Sequence, residues 1–508
     1  MAYLNRSILS APSHPERVLQ FGTGVLLRGL PDFFIDKANK QGLFDGSIII
    51  VKSTGGATDE FSAQEGLYTV VTRGIHKGEA VDESTVISAV SNVISAQDNW
   101  QAVLQAARKP YLQVVISNTT EVGIQYVEES IFQNPPKSYP AKLTAFLYER
   151  FKNFGGSKHK GMIVIPTELI TDNGLKLRDI VEKIAKYNEL GKLFMKWLKY
   201  HVRFCNSLVD RIVPGAPDEE TRQSLETQFG YQDKLMIVAE PYRLWAIEGD
   251  ERVKELLSFA DIDSGVIIEE DITFYRERKL RILNGSHSLS APLGYLLGNV
   301  TVYENSKHPL MSRFVEEVVL QEIAPTIPPP PGGTLKPGAV EEFAQDVLDR
   351  FRNPYIEHFL LSITLQETSK MRARNLPTFK RYLDQTGQLP QRMTLGFAAY
   401  LLFMKAVKLE DGQYFGEATV TDESGKSGIV SYPIRDDYAE YFYKLWQQVD
   451  VHDEASVRQF VHTLCADTVL WEADLSQWPG FADAVAEYLS SLLTLGVEAT
   501  LERQMVTV

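Results

Sequence analysis

The feature that most narrows what this chain can fold into lies near its start. VLQF at 18–21 is a short apolar strand, and Gly22-Thr23-Gly24 follows at once. VLLRGLPDFFIDKANKQG at 25–42 has helical periodicity, and GSIIIVK at 46–52 is a β-branched strand. Strand, glycine turn, helix and strand in that order make a βαβ unit whose first turn can cradle a dinucleotide. The glycines let the backbone turn tightly and approach a pyrophosphate at the helix N-terminus. The third glycine of G-x-G-x-x-G is absent, with Leu27 in its place, and Arg28 beside it is a candidate phosphate contact. Phe21, Gly22, Thr23, Gly24, Val25 and Arg28 are therefore candidate cofactor-binding residues. The second strand runs into Lys52-Ser53-Thr54-Gly55 and not into an acidic residue that would hold a ribose 2′-hydroxyl, which leaves NAD and NADP both open.

Further strands are expected at 65–73, 111–117, 161–166 and 236–241, with helices at 98–107 (Asp98 as its cap), 140–154 and 175–187. The strand at 111–117 ends in NTTEVG. Strand ends of a Rossmann-type sheet face the cofactor, so Asn118, Thr119, Thr120 and Glu121 are candidates for its nicotinamide side; a locally hydrogen-bonded turn is the alternative. From about residue 275 helical periodicity takes over, with helices expected at 340–351, 356–366, 394–406, 438–447, 454–463 and 481–496 and a proline-glycine loop at 325–338. With 508 residues, too many for one ordinary core, the chain reads as an α/β Rossmann-type N-terminal domain (1–275) followed by a mainly α-helical C-terminal domain (276–508).

RKLRILNGSHSLSA at 278–291 opens the second half with the spacing K-x-x-x-x-N-x-x-H: Lys279, Asn284 and His287. On an α-helix Asn284 lies roughly 140° and His287 roughly 80° around the axis from Lys279, so the three share one broad face. An amine, an amide and an imidazole on one face can hold and protonate a carbonyl or alkoxide oxygen; a solvated helix face fits the same spacing. FCNSLVDRIVP at 204–214 places Asp210 beside Arg211 in an apolar run, which suits a structural ion pair or a substrate clamp.

The net charge of −14, from 66 acidic and 52 basic residues, argues against nucleic acid as a partner and requires any anionic substrate to be met by a local cluster of cations. Two cysteines, Cys205 and Cys465, exclude a disulfide scaffold and a cysteine-based zinc site and suit a reducing compartment. No run is long enough to span a membrane and no apolar signal segment opens the chain, so a cytoplasmic location is expected. A thiol-based dehydrogenase and a non-catalytic NAD-binding sensor are the alternatives from other classes.

The ordered set VLQFGTGVLLRG, GLYTVVTRG, SNTTEVGI, SYPAKLT, IPTELITDNG, LVDRIV, ERKLRILNGSHS, RFRNPYIEH and LSITLQETSKMRARNLP resembles the mannitol dehydrogenase family of polyol-specific long-chain dehydrogenases over most of the chain. Within that family it is most similar to members acting on keto sugar acids. The resemblance implies zinc-independent, NAD(H)-linked reduction of D-tagaturonate to D-altronate in hexuronate catabolism; reduction of fructuronate to mannonate and oxidation of mannitol are the alternatives. It implies no metal, a small anionic sugar acid as partner, neither nucleic acid nor membrane, and a monomer or weak homo-oligomer. It makes Lys279 the catalytic acid/base, Asn284 the amide that polarises the carbonyl, His287 a substrate-binding histidine and Asp210 a substrate-side residue. Such a lysine works best with its pKa drawn toward neutrality, for which Arg278 and Arg281 are the neighbours in sequence. Two departures stand out. Leu169 occupies the place of the family's second asparagine, and Ser362 lies near the place of an arginine that touches the polyol. The basic residues here are His358, Lys370, Arg372 and Arg374, candidates for the substrate carboxylate; a solvated helix end is the alternative for the KMRAR run.

Overall fold

In a computed structural model, residues 1–53, 58–119, 122–330, 337–421 and 427–506 are described. The chain divides into two compact units, Met1–Ile272 and Thr273–Val508.

The N-terminal unit is built on six parallel strands: β1 (Glu16–Phe21), β2 (Ser47–Lys52), β3 (Val90–Ser95), β4 (Val114–Ser117), β5 (Met162–Pro166) and β6 (Val202–Phe204). Their order in the sheet is β3-β2-β1-β4-β5-β6. The strand order reverses between β1 and β4, and this is the crevice where such sheets take a dinucleotide. The strands are apolar on both faces, as a sheet covered on both sides requires. Leu19, Phe21, Ile49, Val51 and Val115 pack to one side with Phe146, Phe194 and Trp197. Val18, Ile48, Ile50, Val114 and Ile116 pack to the other with Phe34, Tyr68 and Trp245. The helical run at 25–42 is broken in two: α1 (Val25–Gly29) stops at Leu30, and Pro31 opens α2 (Pro31–Lys40), where its missing N–H costs nothing. The helix expected from residue 98 begins at Trp100, capped by Asn99 through Ala102 N and not by Asp98.

A buried polar network backs the first glycine turn. Tyr68 Oη donates to Asp32 Oδ2 at 2.9 Å, and Gln20 Nε2 lies 3.3 Å from the Gly22 carbonyl and 3.5 Å from Asp32. Burial pushes the fully enclosed Asp32 carboxyl up from 3.8 to about 7, its hydrogen bonds offsetting only part of the penalty.

The C-terminal unit opens with one long helix that changes gauge. α3 (Thr273–Arg278) passes into a π segment, Lys279–Gly285, which passes into α4 (Ser286–Leu297). α5 (Ala339–Phe351) follows. A second helix has the same construction: α6 (Glu367–Lys370), a π segment Met371–Asn375 and α7 (Leu376–Thr386). α8 (Gln391–Phe403) and α9 (Phe481–Thr494) complete the central packing. Gly396 lets α8 approach α4 closely, since a Cβ there would lie 3.0 Å from Leu289 Cβ. Among the described residues no helix is long and apolar enough to cross a membrane.

Two elements differ from expectation. Strands Lys408–Glu410, Gln413–Thr421 and Ser427–Ile434 form an antiparallel sheet inside the helical unit, with the Tyr432 ring stacked on Phe403 at 4.6 Å. The helix expected at 356–366 is reduced to Leu360–Ile363. Its first half is instead extended: Val302 N donates to the His358 carbonyl and Leu360 N to the Val300 carbonyl.

The Asp32 carboxyl yields a pH test. The folded state keeps a proton that the unfolded chain releases between pH 4 and 7, so this group's stabilising contribution is full below pH 4 and is lost as the pH rises to 7. Asp32→Asn, which mimics the neutral acid, is therefore expected to gain in Tm relative to the parent across that window. Tm–pH curves that run parallel would show that Asp32 is ionised in the fold.

Candidate active site

The cofactor candidates of the N-terminal unit gather at the reversal of strand order. Phe21 ends β1, and Gly22 leaves it with φ +128°, a left-handed conformation. A Cβ on Gly22 would lie 2.9 Å from Leu27 Cδ1 and 3.1 Å from the Asn118 carbonyl oxygen, so Gly22 seats the turn against the end of β4. At Gly24, which precedes α1, a Cβ would meet nothing within 4 Å. A tight glycine between two strand ends with open space at the helix start fits a dinucleotide pyrophosphate. Thr23 and Val25 lie in and after this turn.

Arg28 is placed differently from the phosphate contact expected of it. Its guanidinium donates to the carbonyls of Thr23 (3.2 Å) and Leu235 (2.7 Å) and lies over the Tyr68 ring, so it braces the turn from behind. Asn118 donates to Thr167 Oγ1 and its carbonyl oxygen, and Thr119 donates to Glu168 through both its N–H and its hydroxyl at 2.9 Å. The loop after β4 is thus pinned by the two residues that follow β5. Thr120 and Glu121 lie outside the described residues. Asp210 is buried at the end of strand Ser207–Asp210 in the N-terminal unit, while Arg211 beside it donates to the carbonyls of Glu240 and Gly29. Leu169 is 61% exposed, and the nearby amide of Asn173 is held by the carbonyls of Pro166, Glu168 and Ser207, so this segment presents no second amide of the kind seen in the family.

The C-terminal unit carries the other candidates on the π segment and the turn after it. In a π turn the backbone bonds run i→i+5, which sets Asn284 one turn above Lys279 on the same side of the helix. An α-helix would have put the two roughly 140° apart. His287, on α4, is buried, with its ring centroid 4.4 Å from Phe351 and 5.1 Å from His358. Burial first, then the charges of His358, Arg350, Arg374 and Lys370, hold its imidazole well below the usual histidine range. It is a neutral ring at physiological pH. Burial, Arg350 and Lys370 act the same way on His358.

His358, Lys370 and Arg374 therefore converge on His287, and Arg350 joins them. Arg372 does not: its guanidinium reaches the Leu470 carbonyl and pairs with exposed Glu472 at 3.3 Å, on another side of its helix. Arg350 was detectable in the sequence, since it falls at i+7 from Phe343 and i+3 from Val347, on the buried stripe of α5. The neighbours of Lys279 in sequence turn elsewhere. Arg278 lies over the Phe343 ring at 4.2 Å, and Arg281 pairs with Glu277.

The two π segments hold each other. Asn375 Nδ2 donates to the Gly285 carbonyl at 2.9 Å, and Arg374 Nη1 donates to the Asn284 carbonyl (3.3 Å) and Ser288 Oγ (3.2 Å). In return, Arg281 Nη1 donates to the carbonyls of Ala373 (2.6 Å) and Arg374 (2.8 Å). Both cysteines are buried, and burial pushes each thiol up to about 12, which leaves no reactive thiolate.

The Mannitol dehydrogenase Rossmann domain model matches residues 16–260, and the Mannitol dehydrogenase C-terminal domain model matches residues 271–493. Over 506 residues the chain is 38% identical to altronate oxidoreductase of Bacillus subtilis (strain 168), covering 99% of this chain and 98% of that one. It is 38% identical over 507 residues to altronate oxidoreductase of Pectobacterium carotovorum subsp. carotovorum (strain PC1), covering 99% of each. In fold it is similar to Pseudomonas fluorescens mannitol 2-dehydrogenase, solved as a ternary complex with NAD and D-mannitol, with a TM-score of 0.64, 24% identity and full coverage of both chains. Matched along both of its units, the chain belongs to the mannitol dehydrogenase family of oxidoreductases.

Proposed function

We propose that this chain is an NAD(H)-dependent reductase of keto sugar acids that interconverts D-tagaturonate and D-altronate. The observation that carries the reading is the cationic surroundings of His287. Arg350, His358, Lys370 and Arg374 gather around one neutral imidazole in a chain whose net charge is −14. A local positive site in an acidic protein suits a substrate carboxylate, and a neutral polyol has no charge to answer it. Full-length similarity to altronate oxidoreductases supports the same substrate class.

Phe21–Val25 and the Asn118–Thr119 loop would hold the dinucleotide. When bound, its nicotinamide supplies a hydride to the ketone carbon. Lys279 Nζ holds the proton that the ketone oxygen takes as it becomes an alcohol, and receives it back in the oxidative direction. The Asn284 amide donates to that oxygen while negative charge builds on it. One amide does this work here, because Leu169 and Asn173 offer no second. His287, kept neutral, orients a substrate hydroxyl as donor or acceptor, and Lys370 and Arg374 meet the carboxylate. For the dinucleotide we assign NAD, in keeping with the family, with Lys52 leaving NADP open as a second carrier. The role of Arg28 in this reading is to stiffen the turn, and that of Asp210 is confined to the N-terminal unit. A cytoplasmic enzyme of sugar-acid catabolism follows.

Two measurements test this. With NADH and a panel of ketoses and ketouronates, tagaturonate is expected to be reduced far faster than fructuronate or fructose; equal or reversed rates would refute the substrate assignment. Lys279→Ala is expected to lower kcat by about 10²–10⁴-fold, the usual share of a general acid, while NADH binding stays close to the parent value. Unchanged turnover would remove Lys279 from its role, and NADH binding without turnover of any substrate in the parent protein would point to a sensor.

A further inference from the structure

The cation cluster has a second claimant. Glu367, the first residue of α6, is fully buried, and among the described residues neither of its carboxyl oxygens has a hydrogen-bond partner of good geometry. The Ser288 hydroxyl beside it accepts from Arg374 at 3.2 Å. The charged and titratable groups that face Glu367 are Lys370 on its own helix, Arg374 on the π segment, Asp436 after strand Ser427–Ile434, and Tyr400 on α8. Lys370 and Arg374 are also the cations acting on His287. The same two positive charges therefore stand between a buried carboxyl that belongs to the protein and the place proposed above for a carboxylate that belongs to the substrate.

Resting on that functional reading, we propose that Glu367 is a specificity-determining residue: it competes with the substrate carboxylate for Lys370 and Arg374, and so couples the binding of a sugar acid, but not of a neutral sugar, to the uptake of one proton.

The physical argument is one of charge balance. A buried carboxylate without hydrogen bonds is costly, and the group avoids that cost by keeping its proton. Burial raises its pKa to about 8, against the opposing pull of Lys370 and Arg374, while burial lowers that of Lys370. Below about pH 8 Glu367 is neutral and both cations face the site with their charge uncompensated. Above that pH Glu367 ionises and neutralises one of them internally. An arriving carboxylate then restores the proton from solvent to a Glu367 oxygen, because two anions on the same pair of cations repel. A neutral ketose makes no such demand.

The sign follows directly. The KM for tagaturonate should be flat below about pH 8 and rise above it, approaching tenfold per pH unit, while the KM for fructose follows no such rise. Glu367→Gln should flatten the tagaturonate profile, and any rise that remains belongs to other groups. A purely structural role for Glu367 would shift both substrates together and leave the slope. Titrating the enzyme–NADH complex with D-altronate, a pair that cannot react, in buffers of different ionisation enthalpy measures the proton itself. The parent protein should take up about half a proton at pH 8 and none at pH 6, and Glu367→Gln none at either. This measurement on the parent protein stands even if the variant does not fold. Altronate binding without proton uptake at pH 8, or uptake retained in Glu367→Gln, overturns the proposal and leaves the substrate assignment intact. A parent protein that neither binds altronate nor reduces any ketouronate overturns both.

Discussion

Everything in the C-terminal unit that bears on chemistry hangs on a pair of widened helical turns that complete each other's hydrogen bonding. A π turn breaks the i→i−4 ladder, so carbonyls in and around it need other donors, and buried ones need them most. Here the donors are side chains of the opposite π segment. Asn375 and Arg374 serve Gly285 and Asn284, and Arg281 serves Ala373 and Arg374. Such bonds are each worth about 1 kcal/mol net, and more when the donor is charged, but leaving the acceptors unpaired would cost about 1–3 kcal/mol each. The arrangement is reciprocal, so neither segment holds its gauge without the other. Lys279 and Asn284 ride on one of them, and Lys370 and Arg374 border or lie on the other.

The N-terminal unit solves a related problem with different means. Gly22 must turn in left-handed space between Leu27 and the Asn118 carbonyl, and side chains behind it fix the turn: Arg28 by its bonds to Thr23 and Leu235, Gln20 by its reach to Gly22, Tyr68 and Asp32 by their mutual bond. The loop across from it is tied by Thr167 and Glu168. In both units, backbone that departs from regular geometry is held by buried polar side chains and not by packing alone, the usual condition for strained backbone to persist.

What was legible in the sequence follows from range. The βαβ opening, the strand ends carrying Asn118 and Thr119, and the Lys279–Asn284–His287 spacing are local patterns, and local patterns were enough to find them. The α-helical angles assigned to that spacing were not correct, because a π turn is created by donors about 90 residues away, which no periodicity reports. Arg28 and Arg372 were read as ligand-facing from their charge, yet their partners are distant carbonyls and an exposed carboxylate. Arg350 and Glu367 sat in segments that signalled the family and still went unnoticed, since burial of a charged side chain becomes visible only with its surroundings. The antiparallel sheet within the helical unit was missed although its strands carry β-branched and aromatic residues, because neighbouring helical periodicity was allowed to extend across it.

The widened turn at Lys279–Gly285 also sets a rule for how this helix can change length. A π turn accommodates one residue more than the α-helix around it needs. Deleting a single residue between Lys279 and Gly285 would let the helix close to regular α geometry and would rotate all that follows by about 100° relative to Lys279. His287 would leave the face of Lys279 without any change of side chain. The helix thus counts its residues as a ratchet counts teeth: substitutions within it alter the chemistry by degrees, whereas a lost residue alters its phase.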